Sequence, residues 1–229
     1  MPLGVTADDT SVALIWRDGA LELLLRGRRE KPLRVDFVDG ALSHRWRFGG
    51  GAGRQLSGAI GIRRGRRPAV LDATGGFGQD AFLLAALGCQ VTVIERSPVM
   101  AALLDDGLRR AKESKVAELV ERIRLVHTDA RSFVESCKEL PPVVYLDPMF
   151  PTRTGSALPG FPMLGLRAVV GDDEDAPELL ELSLAVARRV VVKRPAGGCS
   201  LGTRRPDFQA NGKTARFDVY LNPAATEQV

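Results

Sequence analysis

Two stretches of this 229-residue chain hold residues whose types and spacing can do chemistry: "LDATGGFGQDA" at 71–81 and "VVYLDPMFPTR" at 143–153. In the first, Gly75, Gly76 and Gly78 let a backbone turn sharply and come close to a ligand. Asp72 precedes them at a strand end, and Gln79 and Asp80 open the next helix. Glu95 ends "QVTVIE", 17 residues after Gly78. There a carboxylate can accept hydrogen bonds from both hydroxyls of a ribose. Together these residues point to a nucleoside-containing cofactor. A dinucleotide site would show G-x-G-x-x-G with the pyrophosphate on the helix N-terminus. Acidic side chains at Asp72 and Asp80 are poor neighbours for a pyrophosphate. They suit a ligand with ammonium and sulfonium charges, so S-adenosylmethionine fits better than NAD.

In the second stretch an apolar, β-branched run stops at Asp147, and Pro148, Met149 and Phe150 follow at once. "LDPMF" resembles the Asp/Asn-Pro-Pro-Tyr/Phe motif of methyltransferases that act on exocyclic amines of bases. The lone pair of such an amine is delocalised into the ring, which makes it a poor nucleophile. The Asp147 carboxylate and the Pro148 carbonyl can accept its two N–H bonds and aim the lone pair at a methyl group. Phe150 would stack on the base, worth roughly 1–3 kcal/mol. Proline fixes the turn on which these groups converge. A bare strand-end Asp-Pro turn gives the same short string; its place beside the glycine loop sets this one apart.

From residue 69 the chain alternates strands and helices, which supplies that placement. "AVLDA" leads to a helix over 79–87, "QVTVIE" to one over 98–112, and "IRLVHTD" to one through "ARSFVESC". "PVVYLD" follows, then an irregular segment, a helix over "PELLELSLAVA" and the strand "RRVVVKRP". A hairpin around Asn211-Gly212 ends in "ARFDVYL". Repeated βα units with short apolar strands predict an α/β fold, a mostly parallel sheet covered on both faces, with an antiparallel edge from the terminal hairpin. Ligands of such sheets bind at the strands' C-terminal ends. "GDDED" (171–175) reads as a helix start favoured by the dipole, with no chemistry.

Residues 1–66 read as a small, basic, β-hairpin-rich domain and 67–229 as the Rossmann-like one. "VALIWR" and "ALELLLR" flank Asp18-Gly19, and "LRVDFV" and "ALSHRWRF" flank Asp39-Gly40, both strong hairpin signals. In the last strand Arg45 and Arg47 share one face while His44, Trp46 and Phe48 share the other. That arrangement suits RNA, and it equally describes a half-buried strand with a polar outer face. "GGGAGR" (49–54) and a short helix over "QLSGAIGI" precede the linker "RRGRRP". Residues 1–67 carry a net charge of +6 and the remainder −2, within the total of +4. An anionic partner at one end, or a solvated basic face, accounts for that split.

Three dispersed cysteines and two histidines leave no metal-ligand spacing. No apolar run approaches a membrane span, and the N-terminus lacks the pattern of a signal peptide. Cytoplasm is the expected location.

With these motifs in view, the chain resembles bacterial small-subunit ribosomal RNA guanine-N2 methyltransferases of the RsmJ type. The similarity covers "VDFVDGALSHRWRFGGGAGR", 71–108, "VVYLDPMFP", "RVVVKRP" and "RFDVY", and is poor over 1–30 and 155–175. It implies S-adenosylmethionine as cofactor, and as target the N2 amine of one guanosine near the 3′ end of 16S rRNA, in free rRNA or the small ribosomal subunit. By position it places cofactor contacts on Gln79, Asp80, Glu95, Arg96, Asp129, Ala130 and Asp147. Asp129 follows the third strand, where a methyltransferase carboxylate usually meets the adenine amine, although this family often has small polar residues at 129 and 130. His127 inside "RLVHTD" reads as a strand residue rather than a general base. Lys193 and Arg194, at the fifth strand's tip, are candidates for phosphate contact or a plain strand-end charge pair. An adenine-N6 methyltransferase, an NAD-dependent oxidoreductase and a non-catalytic rRNA-binding assembly factor remain as competing readings.

Overall fold

A computed structural model describes residues 12–25, 32–39, 52–63, 65–137, 141–149 and 173–223. A two-stranded hairpin, β1 (Val12–Arg17) and β2 (Ala20–Leu25), turns at Asp18 and Gly19 with φ of 50° and 74°. Positive φ at both positions is what a type I′ turn needs, so the Asp-Gly signal holds here. Helix α1 (Ala52–Ile60) follows, then the predicted alternation: β3 (Val70–Asp72), α2 (Gln79–Ala86), β4 (Val91–Glu95), α3 (Pro98–Lys112), α4 (Ala117–Val120), β5 (Ile123–His127), α5 (Ala130–Ser136) and β6 (Val143–Leu146). The chain continues with α6 (Ala176–Val186), β7 (Arg189–Pro195), β8 (Phe208–Asn211) and β9 (Ala215–Leu221). Only the one-turn α4 has no counterpart in the sequence expectation.

The main sheet has the order β5-β4-β3-β6-β7-β9-β8, with β9 antiparallel to its neighbours. Strand order reverses between β3 and β6, which opens a crevice at their C-terminal ends. Period-2 alternation sends successive side chains to opposite faces. Val70, Val143, Tyr145 and Val191 face one core with α1, α2 and α3, while Leu71, Val144, Leu146, Val190 and Val192 face another with α5 and α6. The first core also contains Leu23, Leu33, Val35 and Phe37, so the N-terminal strands pack directly on this layer. Phe37 stacks on Phe82 with ring centroids 5.1 Å apart.

One sequence expectation fails in this region. "LRVDFV" forms no strand: Leu33 makes a single bridge to Leu23, and 34–39 then run without ladder bonds. Asp36 accepts from the backbone N–H of Val38 (2.9 Å) and Asp39 (3.1 Å), a local turn that competes with pairing. The Val35 carbonyl is taken by Arg110 Nη2, and its side chain sits over Gly107 of α3. The proposed return strand, with Arg45 and Arg47, lies outside the described residues.

A Cβ on Gly107 would lie 2.5 Å from Val35 Cγ1 and 3.1 Å from the Val35 carbonyl oxygen. Gly107→Ala should therefore overpack this contact and cost about 1–3 kcal/mol. A lower urea midpoint at unchanged slope checks it. An unchanged midpoint would show that residues 33–37 can move away freely.

Candidate active site

The site is assembled at the C-terminal ends of β3, β4, β6 and β7. At β3, the loop after Asp72 folds back onto β4: Gly75 N–H donates to the Ile94 carbonyl at 2.9 Å. A Cβ on Gly75 would sit 2.7 Å from Val93 Cγ1 and 2.9 Å from that carbonyl oxygen, so only glycine allows the approach. Glu95 locks the loop from the other side. Its Oε2 accepts from Gly76 N–H and its Oε1 from Ser97 N–H, each at 2.7 Å. Burial pushes the Glu95 carboxyl up, partly opposed by those two backbone donors. Each oxygen keeps a second lone pair for a ligand hydroxyl.

A charged cluster lies beneath α2. Lys193 Nζ donates to Asp80 Oδ2 and to Asp147 Oδ2, both at 2.7 Å, and Tyr145 Oη donates to the same Asp80 oxygen at 2.7 Å. The strand register explains the convergence. Val143 opposes Arg189 and Tyr145 opposes Val191, so two residues further on Asp147 falls beside Lys193, on the face that α2 covers. The Asp147 N–H donates to Thr74 Oγ1 at 2.7 Å, which ties the tip of β6 to the glycine loop. Among the described residues, no protein donor reaches Asp147 Oδ1.

Three carboxylates and one ammonium share this space. Asp72, 1% exposed, is pushed up to about 8 by burial first and then by the charges of Asp80 and Asp147, against the Thr74 N–H. Asp147 is raised to about 6 by burial and by Asp80, with Lys193 pulling the other way. The Lys193 ammonium is held protonated by its two carboxylates despite burial, and the Tyr145 hydroxyl is raised well above its ordinary value by burial and by Asp80. With Asp72 keeping its proton at neutral pH, the half-buried Asp80 and Asp147 still outnumber the single Lys193 ammonium, and that imbalance favours a cationic ligand. S-adenosylmethionine, with ammonium and sulfonium groups, meets that requirement.

The raised Asp72 has a consequence for stability. Its folded value of about 8 stands above the ordinary aspartate value of 3.8, so the folded state binds more protons across that window. Stability contributed by protonated Asp72 is therefore lost as pH rises from about 4 to about 8. Asp72→Asn should flatten that fall, read as a smaller difference in urea midpoint between pH 5 and pH 8. An equal difference in both proteins would mean Asp72 is already ionised at pH 5.

Some expected site residues are engaged differently. Arg96 donates to Asp175 at 2.8 Å and 3.0 Å and also pairs with Asp173, and Asp173 Oδ2 accepts from Met149 N–H at 2.7 Å. Arg96 and Asp173 thus clamp the backbone just after Pro148. Asp173 and Asp175, in a stretch expected to serve only the helix dipole, are part of the site's frame. Asp129 caps α5, accepting from Arg131 N–H at 2.9 Å and Ser132 N–H at 3.3 Å, with Ala130 buried behind it. Burial raises the Asp129 carboxyl, but the Arg131 guanidinium and those amides hold it below the usual range.

Gln79 is exposed at the start of α2, Pro148 is buried, and His127 is exposed at the end of β5. Arg194 is buried and donates from Nε to the Cys199 carbonyl at 2.7 Å. Phe150 lies outside the described residues. Sequence reasoning missed Tyr145, Thr74 and Asp173 and left Lys193 between phosphate contact and a strand-end charge pair; the structure pairs it with Asp80 and Asp147. Only Tyr145 and Lys193 left a signal, since each shares strand parity with its neighbour at the site.

A doubly covered α/β sheet, a glycine loop locked to an acidic strand end and an anionic cluster at the strand tips define an S-adenosylmethionine-dependent methyltransferase. Residues 2–222 match the family model described as "Putative SAM-dependent methyltransferase". The chain belongs to the ribosomal RNA small subunit methyltransferase J family. It is 47% identical over 227 residues to the protein of that name from Pseudomonas paraeruginosa, covering 97% of this chain and 87% of the relative. The Ectopseudomonas mendocina protein is 48% identical over 216 residues, covering 93% and 83%. Among solved structures, a SAM-dependent methyltransferase from Neisseria gonorrhoeae superposes with a TM-score of 0.76 at 32% identity, covering 99% of this chain and 89% of that one.

Proposed function

We propose that this protein methylates the exocyclic N2 amine of a guanosine near the 3′ end of small-subunit (16S) ribosomal RNA, as free rRNA or within the small ribosomal subunit, using S-adenosylmethionine. Family membership supports the RNA substrate class. The observation that carries the chemistry is the Asp147 carboxylate, with Oδ2 fixed by Lys193 and, among the described residues, no protein donor on Oδ1, at the tip of β6 beside the locked glycine loop. Cytoplasm is the corresponding location; no helix among the described residues is long and apolar enough to cross a membrane.

When bound, S-adenosylmethionine supplies an electrophilic methyl group on a sulfonium centre. Asp147 Oδ1 and the Pro148 carbonyl accept the amine's two N–H bonds, draw its lone pair out of conjugation and direct it at that carbon. Transfer would form the N–C bond as the S–C bond breaks, with that bond's electron pair staying on sulfur. The nitrogen then carries a surplus proton, which passes through Asp147 to water. Phe150 stacks on the guanine, and Glu95 accepts from the ribose hydroxyls. Gly75, Gly76 and Gly78 keep the backbone close to the cofactor, with Asp80 compensating its positive charge, Asp72 giving up its proton as that charge arrives, and Gln79, Arg96, Asp129 and Ala130 bordering the pocket.

Incubating the protein with methyl-labelled S-adenosylmethionine and small subunits lacking the modification, then digesting the RNA to nucleosides, tests the assignment. Label should appear in N2-methylguanosine. Label in N6-methyladenosine would transfer the same amine chemistry to adenine. RNA binding with no label and no cofactor affinity would leave a non-catalytic assembly factor.

A further inference from the structure

Five arginines gather at the pole of the sheet opposite the site. Arg63 and Arg66 face each other across a tight turn, with Arg66 N–H donating to the Arg63 carbonyl at 2.9 Å. Arg67 donates from Nη1 to the Arg63 and Arg66 carbonyls at 3.2 Å and 3.4 Å. Arg188 precedes β7 and Arg189 is its first residue. Arg189 donates to the Ala59 carbonyl at 2.7 Å and lies close enough to Arg63 to feel its charge. Among the described residues no carboxylate comes within ion-pairing distance of any of the five. Phe208, 41% exposed on edge strand β8, has the Arg189 guanidinium over its ring at 5.8 Å.

A solvated protein surface ordinarily intersperses both signs of charge. Here like charges are crowded, and backbone carbonyls rather than carboxylates hold the Arg67 and Arg189 guanidiniums in place. Forked cations of this kind match phosphate oxygens, and an exposed ring beside them can take a base. Arg189 stands four residues before Lys193 on β7, about 13 Å at roughly 3.3 Å per residue. A polyanion reaching from the site along the β8 edge can therefore touch both ends of the strand.

We infer that Arg63, Arg66, Arg67, Arg188 and Arg189, with Phe208, form a second contact surface for the RNA phosphate backbone, remote from the methyl-transfer site. This rests on the rRNA assignment above. The surface supplies affinity and register for a structured RNA and takes no part in the transfer step.

The test uses the exposed members, combined as Arg63→Ala, Arg66→Ala and Arg188→Ala in the full chain. Binding to unmodified small subunits is measured against salt, and methylation against subunit concentration. The slope of log affinity on log salt should fall by about 2, at roughly 0.7–0.9 per lost phosphate contact. KM for subunits should rise about tenfold or more, while kcat at saturation and S-adenosylmethionine affinity stay at wild-type values. Lysine at all three positions should restore most of the slope, which a folding defect would not. An unchanged slope and KM would overturn the surface while leaving the enzyme's function intact. Loss of binding to anionic vesicles with RNA binding unchanged would also overturn it. Wild-type protein that binds subunits but methylates no guanosine would instead sink the functional assignment, and the salt slopes would still decide the surface.

Discussion

Asp147→Ala should lower kcat by about 10- to 150-fold while S-adenosylmethionine affinity changes far less. The lost interaction is a hydrogen bond from an amine that gains positive charge as the methyl arrives, worth roughly 1.5–3 kcal/mol. It strengthens toward the transition state, so it appears in kcat rather than in ground-state binding. The fold should tolerate the change, because the Asp147 backbone N–H still donates to Thr74 Oγ1 and Lys193 keeps Asp80 as a partner. Single-turnover methyl transfer with cofactor titration in parallel separates the two quantities. Wild-type kcat in this variant would remove Asp147 from amine orientation.

Lys193→Met should move the acid limb of the pH–rate profile. In the wild-type enzyme kcat should fall as pH drops through about 6, where Asp147 takes a proton and can no longer accept the amine. Lys193 holds that value down; without it, Asp147 faces Asp80 and Tyr145 and, among the described residues, no cation bonds to it. Removing an adjacent opposite charge raises a carboxyl by roughly 1–3 units. The limb should shift upward by that amount, so activity lost at pH 7 is partly recovered at pH 9. A merely structural lysine would lower activity at every pH without moving the limb, and that outcome would contradict a positioning role. Lys193→Arg should keep the limb near its wild-type place.

The sheet and its helices were legible because their signals are local. Strands such as "VVYL" and "RVVVKRP" are short apolar runs, helix α3 begins at the Ser97 cap and Pro98, and glycines punctuate the turns. "LRVDFV" misled because its alternation is that of a strand, whereas Asp36 bonds its own backbone and Val35 is claimed by α3. Asp147 and the glycine loop could be found from type and spacing alone. Lys193 could not be given its role, since cross-strand neighbours depend on a register fixed only when β6 and β7 pair. Asp173 was hidden for a similar reason: its partner Arg96 stands 77 residues earlier in the chain.

The most direct measurement is the N2-methylguanosine content of small-subunit rRNA from cells lacking this protein, complemented with either the wild-type chain or Asp147→Ala. The wild-type chain should restore one N2-methylguanosine near the 3′ end of the rRNA, and the variant should leave that position largely unmodified at equal protein level. Full restoration by Asp147→Ala, or no change in N2-methylguanosine with the wild-type chain, would contradict the account.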